Sequence, residues 1–107
     1  MTEEILRLVP AGETYILVDE ERWWAGLAAD GRRRLPFLER DGVYWGRPED
    51  DRTAVDELLR LKRAGARYML FAESAFWWLD HYRTLASHLQ RFVRLVLDTP
   101  HRRGYAL

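Results

Sequence analysis

Two carboxylates stand where an α/β protein would do chemistry. Asp19 closes the apolar run Tyr15-Ile16-Leu17-Val18, and Glu73 closes Arg67-Tyr68-Met69-Leu70-Phe71-Ala72. Ligands of open α/β sheets collect outside the carboxyl ends of the strands. Two acids there, about 5 to 9 Å apart on adjacent parallel strands, would divide acid and base work of the kind glycoside chemistry uses. His81 follows on the next helical segment and completes the candidate catalytic set of Asp19, Glu73 and His81. A structural explanation stands beside this one: acids are common where strands give way to polar turns, and Glu73 precedes a helix start, which favours negative charge. The chain has no cysteine and no GxSxG, and Ser74 reads as a helix cap rather than a nucleophile. His81 and His88 lie two helical turns apart and His101 in a turn, with no HExxH, so no metal site is predicted. Neither a GxGxxG nor a P-loop follows a strand, so no cofactor is predicted either.

The five tryptophans are the second feature. Adjacent helical residues point about 100° apart, so Trp77 and Trp78 cannot both enter a core. Trp78 aligns with Tyr82, Leu85 and Leu89 and is assigned to the interior. Trp77 aligns with His81, Thr84 and His88 at the margin. An indole near carboxylates suits a sugar, stacking on C–H groups while the acids accept from hydroxyls. The alternative is that these rings supply core area that a short chain lacks. Trp23 and Trp24 in an irregular segment, Tyr44 and Trp45 on a hairpin, and Trp77 are the candidate binding residues.

The elements that position these groups follow from periodicity. Tyr15–Val18 reads as a strand buried on both faces, followed by an irregular stretch over 20–34. Leu35–Glu39 and Val43–Trp45 flank Asp41-Gly42, a type I′ turn signal, and Pro36 confines its strand to an edge. Ala54, Leu58 and Leu61 follow the helical period. Asp51 or Thr53 would cap that helix, with Asp56 at capping-box distance, Asp56 and Arg60 forming an i,i+4 pair and Gly65 ending it. A second buried strand spans Arg67–Ala72, a helix runs from about Ala75 to Phe92 with Ser74 as its cap, and strands at Val93–Leu97 and Gly104–Leu107 complete the order βββαβαββ. The expected architecture is a single α/β domain over residues 1–107: a small sandwich with a parallel βαβαβ core, an inserted hairpin and a short antiparallel last strand.

Composition narrows the function classes. The 107 residues are 48% hydrophobic and 13% aromatic, with 17 basic against 17 acidic side chains, which describes a globular domain. Residues 1–50 hold 7 basic and 11 acidic residues, and residues 51–107 hold 10 and 6, giving −4 and +4. Neither half has the basic excess that phosphate-backbone binding requires, so nucleic acid is not an expected partner. Arg32-Arg33-Arg34 and His101-Arg102-Arg103 read as solvated loops. No apolar run reaches the roughly 18 to 20 residues of a membrane span, and MTEEILRLVP lacks the basic start of a secretory signal, so a cytoplasmic location is expected.

The segments PFLERDGVYWGRPEDD (Pro36 to Asp51) and FAESAFWWLDHY (Phe71 to Tyr82), joined by LLRLKRAGARYML, resemble small bacterial α/β modules associated with or fused to glycosyltransferase-, methyltransferase- and sulfotransferase-like proteins. The resemblance spans about Gly12 to Asp98 and implies a context of glycan or cell-envelope biosynthesis, with no catalytic residues attached. The expected function is a non-catalytic accessory or interaction domain, with a protein partner or a second copy of itself and a carbohydrate-related ligand. The alternative is a small enzyme acting on a sugar or related polar metabolite at the strand ends.

Overall fold

The computed structural model describes residues 2–19, 31–40, 43–44 and 46–107. In chain order the elements are α1 (Thr2–Leu8), β1 (Thr14–Val18), β2 (Arg33–Pro36), β3 (Glu39–Arg40), β4 (Val43–Tyr44), α2 (Asp51–Arg63), β5 (Ala66–Ala72), α3 (Trp77–His81), α4 (Arg83–Phe92), β6 (Arg94–Asp98) and β7 (Arg102–Ala106). The fold is mixed α/β. One five-stranded sheet has the order β2-β1-β5-β7-β6, and β3 and β4 form a separate two-stranded antiparallel ribbon.

β1 and β5 pair in parallel, with Ile16 opposite Met69 and Val18 opposite Phe71. Successive strand side chains alternate faces, and here both faces are buried. Ile16, Val18, Met69 and Phe71 point into the larger core with Leu58, Leu61, Trp78, Leu85 and Leu89 from the helices. Tyr15, Leu17 and Leu70 point the other way, against Ile5, Leu8 and Val9 of the N-terminal segment. Gly104 keeps that second layer thin: a Cβ there would lie 3.2 Å from Leu97 Cβ and 3.7 Å from Leu8 Cδ1.

Several local expectations are corrected. The N-terminal helix α1 is additional to the predicted order, and the arginine run that reads as a solvated loop enters the sheet, with Arg33 and Arg34 in β2. Arg32 is only 7% exposed and donates from Nε to the Val9 carbonyl and from a terminal nitrogen to the Leu6 carbonyl, satisfying acceptors left open at the end of α1. The edge strand containing Pro36 pairs in parallel with β1, while the hairpin is shorter than predicted, joining Glu39 to Tyr44 and Arg40 to Val43; its Asp41-Gly42 turn lies outside the described residues. Likewise Arg102 and Arg103 belong to β7 rather than to a loop.

The parallel core is also narrower than predicted. β6 does not pair with β5; β7 turns back between them, antiparallel to both. The helix predicted over 75–92 is three pieces: a 3-10 turn at Glu73–Ala75, then α3 and α4, divided at Tyr82 with φ −94° and ψ 79°. The Tyr82 hydroxyl donates to the Pro48 carbonyl at 2.6 Å, and its ring packs 5.3 Å from that of Trp78, so a distant contact accompanies a break that no glycine or proline announces. Asp50, rather than Asp51 or Thr53, caps α2, accepting from the Thr53 amide at 2.8 Å; that bond holds its carboxyl below the usual range. Asp51 accepts from the Thr84 amide at 3.3 Å instead, in the first turn of α4. Gly65, at φ +113°, ends α2 as predicted.

Trp78 is fully buried and touches Phe37, Trp77 and Tyr82. Trp78→Ala is expected to cost about 3 to 5 kcal/mol, read as a lower denaturant midpoint at unchanged slope. A midpoint equal to wild type would show that α3 is not held by this ring.

Candidate functional site

Because β1 and β5 are parallel neighbours, their carboxyl ends bring Asp19 and the Glu73-Ser74 pair to one edge of the sheet. Ser74 does not cap a helix; its hydroxyl donates to Asp19 Oδ1 at 3.3 Å. Glu73 Oε1 lies 3.0 Å from His101 Nδ1. The turn after β6 delivers that histidine: the Thr99 hydroxyl oxygen accepts from the amides of Arg102 at 3.0 Å and His101 at 3.3 Å, while the Thr99 amide donates to the Arg102 carbonyl at 2.9 Å. Four polar side chains from three segments thus meet at the predicted edge as two pairs, Asp19 with Ser74 and Glu73 with His101.

An imidazole whose Nδ1 faces a carboxylate has its Nε2 directed elsewhere, the arrangement of a base oriented by an acid. The Glu73 and His101 side chains are 60% and 70% exposed, however, and a solvated pair of this kind contributes about 0 to 1 kcal/mol. Among the described residues no group of three or more His, Asp or Glu side chains is arranged to hold a metal ion.

The remaining candidates are dispersed. His81 is not the histidine that meets Glu73: its ring packs 5.6 Å from Trp77 and 4.7 Å from Tyr82. Trp77 is 38% exposed, with the Arg47 guanidinium 5.2 Å from its ring centre. Trp23, Trp24 and Trp45 lie outside the described residues, as does the side chain of Tyr44. Sequence reasoning missed His101; the only local signal was Thr99-Pro100 immediately before it, a turn marker that reveals nothing of Glu73.

A second polar cluster ties the ribbon to α2. Glu57 is buried on the helix and forms ion pairs with Arg40 and, at 2.7 Å, with Arg60. Arg60 also donates to the Glu39 carbonyl at 2.6 Å and to the Glu39 carboxylate at 3.0 Å. The predicted Asp56 partner of Arg60 pairs with Arg52 instead, at 3.7 Å. Burial pushes the Glu57 carboxyl up, but the Arg60 and Arg40 hydrogen bonds outweigh it and hold the carboxyl below its usual range.

Two open grooves flank α4. One, of about 330 Å³, lies between α4 and α2 and includes Val55, Arg83, His88, Arg91 and Phe92; burial first, then the nearby Lys62, holds the His88 imidazole below its usual range. The other, of about 300 Å³, lies between α4 and β6. Neither is lined by Asp19, Glu73, Ser74 or His101. No helix among the described residues is long and apolar enough to cross a membrane. No protein-family model matches the chain, and no curated protein and no solved structure matches it.

The Glu57 cluster has a signed pH signature. A carboxyl whose folded pKa is depressed stabilises above its unfolded value, about 4.3, and loses that contribution as pH falls through the folded value. Denaturant midpoints measured from pH 7 down to about pH 3 should fall less steeply in Glu57→Gln than in wild type, while the variant is the less stable protein at neutral pH. Parallel curves would exclude Glu57 as a source of the acid slope.

Proposed function

We propose that this chain is a non-catalytic accessory or interaction domain that works through its surface, in a setting of glycan or cell-envelope biosynthesis. One observation carries the reading: among the described residues, two open grooves and the most exposed large apolar side chains, Phe92 and Leu95, gather around α4, while Glu73 stands in a solvated pair with His101 outside both grooves. Strongly desolvated or charge-coupled groups in a cleft mark catalytic sites, whereas exposed apolar side chains beside a groove mark contact surfaces. The glycan setting rests on the resemblance of Pro36–Asp51 and Phe71–Tyr82 to modules that accompany glycosyltransferase-like proteins.

A second reading, a small enzyme acting on a sugar or related polar metabolite, has one observation in its favour. Glu73 orients His101 next to the Asp19–Ser74 pair, so a base and a second carboxylate share one edge.

Asp19→Asn and Glu73→Gln keep shape and remove charge, and they separate the two readings. Both variants are expected to melt close to wild type, and neither they nor wild type should turn over activated sugars or simple glycosides. Reproducible turnover by wild type that is lost in both variants would overturn the interaction reading.

A further inference from the structure

The groove of about 330 Å³ between α2 and α4 carries charge of one sign. Arg83 and Arg91, near either end of α4, both line it, and between them lie Thr84, Ser87 and His88. Lys62, two turns beyond Val55 on α2, is close enough to His88 to disfavour its charged form. α4 contains no acidic residue. The three acids of α2 are engaged: Asp51 with the Thr84 amide, Asp56 with Arg52, and Glu57 with Arg40 and Arg60. No carboxylate of either helix is left to neutralise the two arginines, so the complementary ligand is an anion.

Spacing and lining narrow its class. Arg83 and Arg91 are eight residues apart, about 12 Å along the helix axis, which suits two anionic groups on an elongated ligand better than one compact anion. Val55 and Phe92 are the only apolar side chains in the lining among the described residues, too few for an amphipathic helix, which is held by an anchor at each turn. Nucleic acid is also a poor match, since a duplex carries a charge about every 1.7 Å of its axis and two arginines with one lysine do not follow that density. The lining does match a sugar chain. Phe92 is 69% exposed and its ring centre lies 5.1 Å from that of His88; the electron-rich face of such a ring attracts the C–H face of a pyranose. The Thr84 and Ser87 hydroxyls each donate and accept, and so does a neutral imidazole at His88, as sugar hydroxyls require.

We infer that the α2–α4 groove binds a segment of acidic polysaccharide with carboxylates on alternate sugars. Arg83 and Arg91 pair with two of those carboxylates, Phe92 supports a sugar ring beside Arg91, and Thr84, Ser87 and His88 bond hydroxyls between the two arginines. This rests on the interaction reading above and names the surface and the ligand class within its glycan setting.

The probe is a fluorescein-labelled hyaluronan decasaccharide, which carries a carboxylate on every second sugar, titrated with the full chain at low salt and followed by anisotropy. Micromolar binding is expected. Arg83→Gln and Arg91→Gln should each weaken it about fivefold, and the double variant at least about tenfold. Phe92→Ser should weaken it as much as either single variant. All three sites are exposed, so these melts should match wild type. Arg67→Gln removes an exposed arginine of β5 outside the groove and should leave the affinity unchanged. Carboxyl-reduced hyaluronan, with its charge removed, should not bind wild type, a comparison that requires no variant to fold. Absence of binding at millimolar oligosaccharide, equal binding of the carboxyl-reduced chain, or an equal loss in Arg67→Gln would overturn the inference. So would tighter binding of charge-matched oligothymidylate or polyglutamate, which would make a nucleic acid or an acidic protein segment the occupant. Those outcomes remove the polysaccharide alone, whereas wild-type turnover that is lost in Asp19→Asn and Glu73→Gln removes the interaction reading whatever the oligosaccharide does.

Discussion

The parallel pairing of β1 with β5 is the constraint from which the rest of the molecule follows. Both strands are apolar on both faces, and every described residue from Tyr15 to Val18 and from Met69 to Ala72 is buried. A sheet centre of this kind cannot present either side to water without exposing several large side chains, each contributing about 1.5 to 3 kcal/mol when buried. It must be covered twice. The longer helices do so on one side, with Leu58, Leu61, Trp78, Leu85 and Leu89. On the other side, among the described residues, the short helix α1 and Val9 lie against the sheet, and Gly104 leaves room for Leu8 and Leu97 beside it.

Peripheral elements too short to hold themselves are fastened by arginines. α1 has seven residues, well below the length at which an isolated helix is stable in water, and Arg32 secures its end by bonding the Leu6 and Val9 carbonyls. The ribbon of β3 and β4, with two residues in each strand, is joined to α2 through Arg40, Glu57, Arg60 and Glu39. A guanidinium suits both tasks, since its fixed fork of donors serves two acceptors at once. In the ribbon cluster the carboxylate of Glu57 is the buried partner, so removing the arginines that hold it is costly because its charge is then stranded.

The two sides of the molecule differ in what they offer a ligand. At the carboxyl ends of β1 and β5, half-buried Asp19 accepts from Ser74, and Glu73 and His101 pair in solvent. Around α4, among the described residues, the exposed apolar side chains Phe92 and Leu95 lie beside two open grooves. The first arrangement resembles the periphery of many α/β sheets, while the second combines the features that distinguish contact surfaces from ordinary surface. The proposed binding role rests on this contrast.

Much of the scaffold was legible from local pattern. Continuous apolar runs marked β1 and β5, the 3.6-residue spacing of Ala54, Leu58 and Leu61 marked α2, and the 100° step between neighbouring helical residues sent Trp78 inward and left Trp77 at the margin. These properties depend on residues near one another in the chain, and periodicity records them directly. Strand order is of another kind. Backbone hydrogen bonds are nearly the same for every residue, so nothing in Arg102–Ala106 announces that it inserts between β5 and β6. Polar partnerships were equally hidden: Glu73 and His101 are 28 residues apart, Tyr82 and Pro48 are 34 apart, and Arg32 reaches back 23 residues to Val9. Sequence determined which faces must be buried, because that is a property of each segment. Tertiary structure decided which charged and hydroxyl groups meet, because a hydrogen bond is made between whatever the fold brings within 3 Å or so, irrespective of separation along the chain.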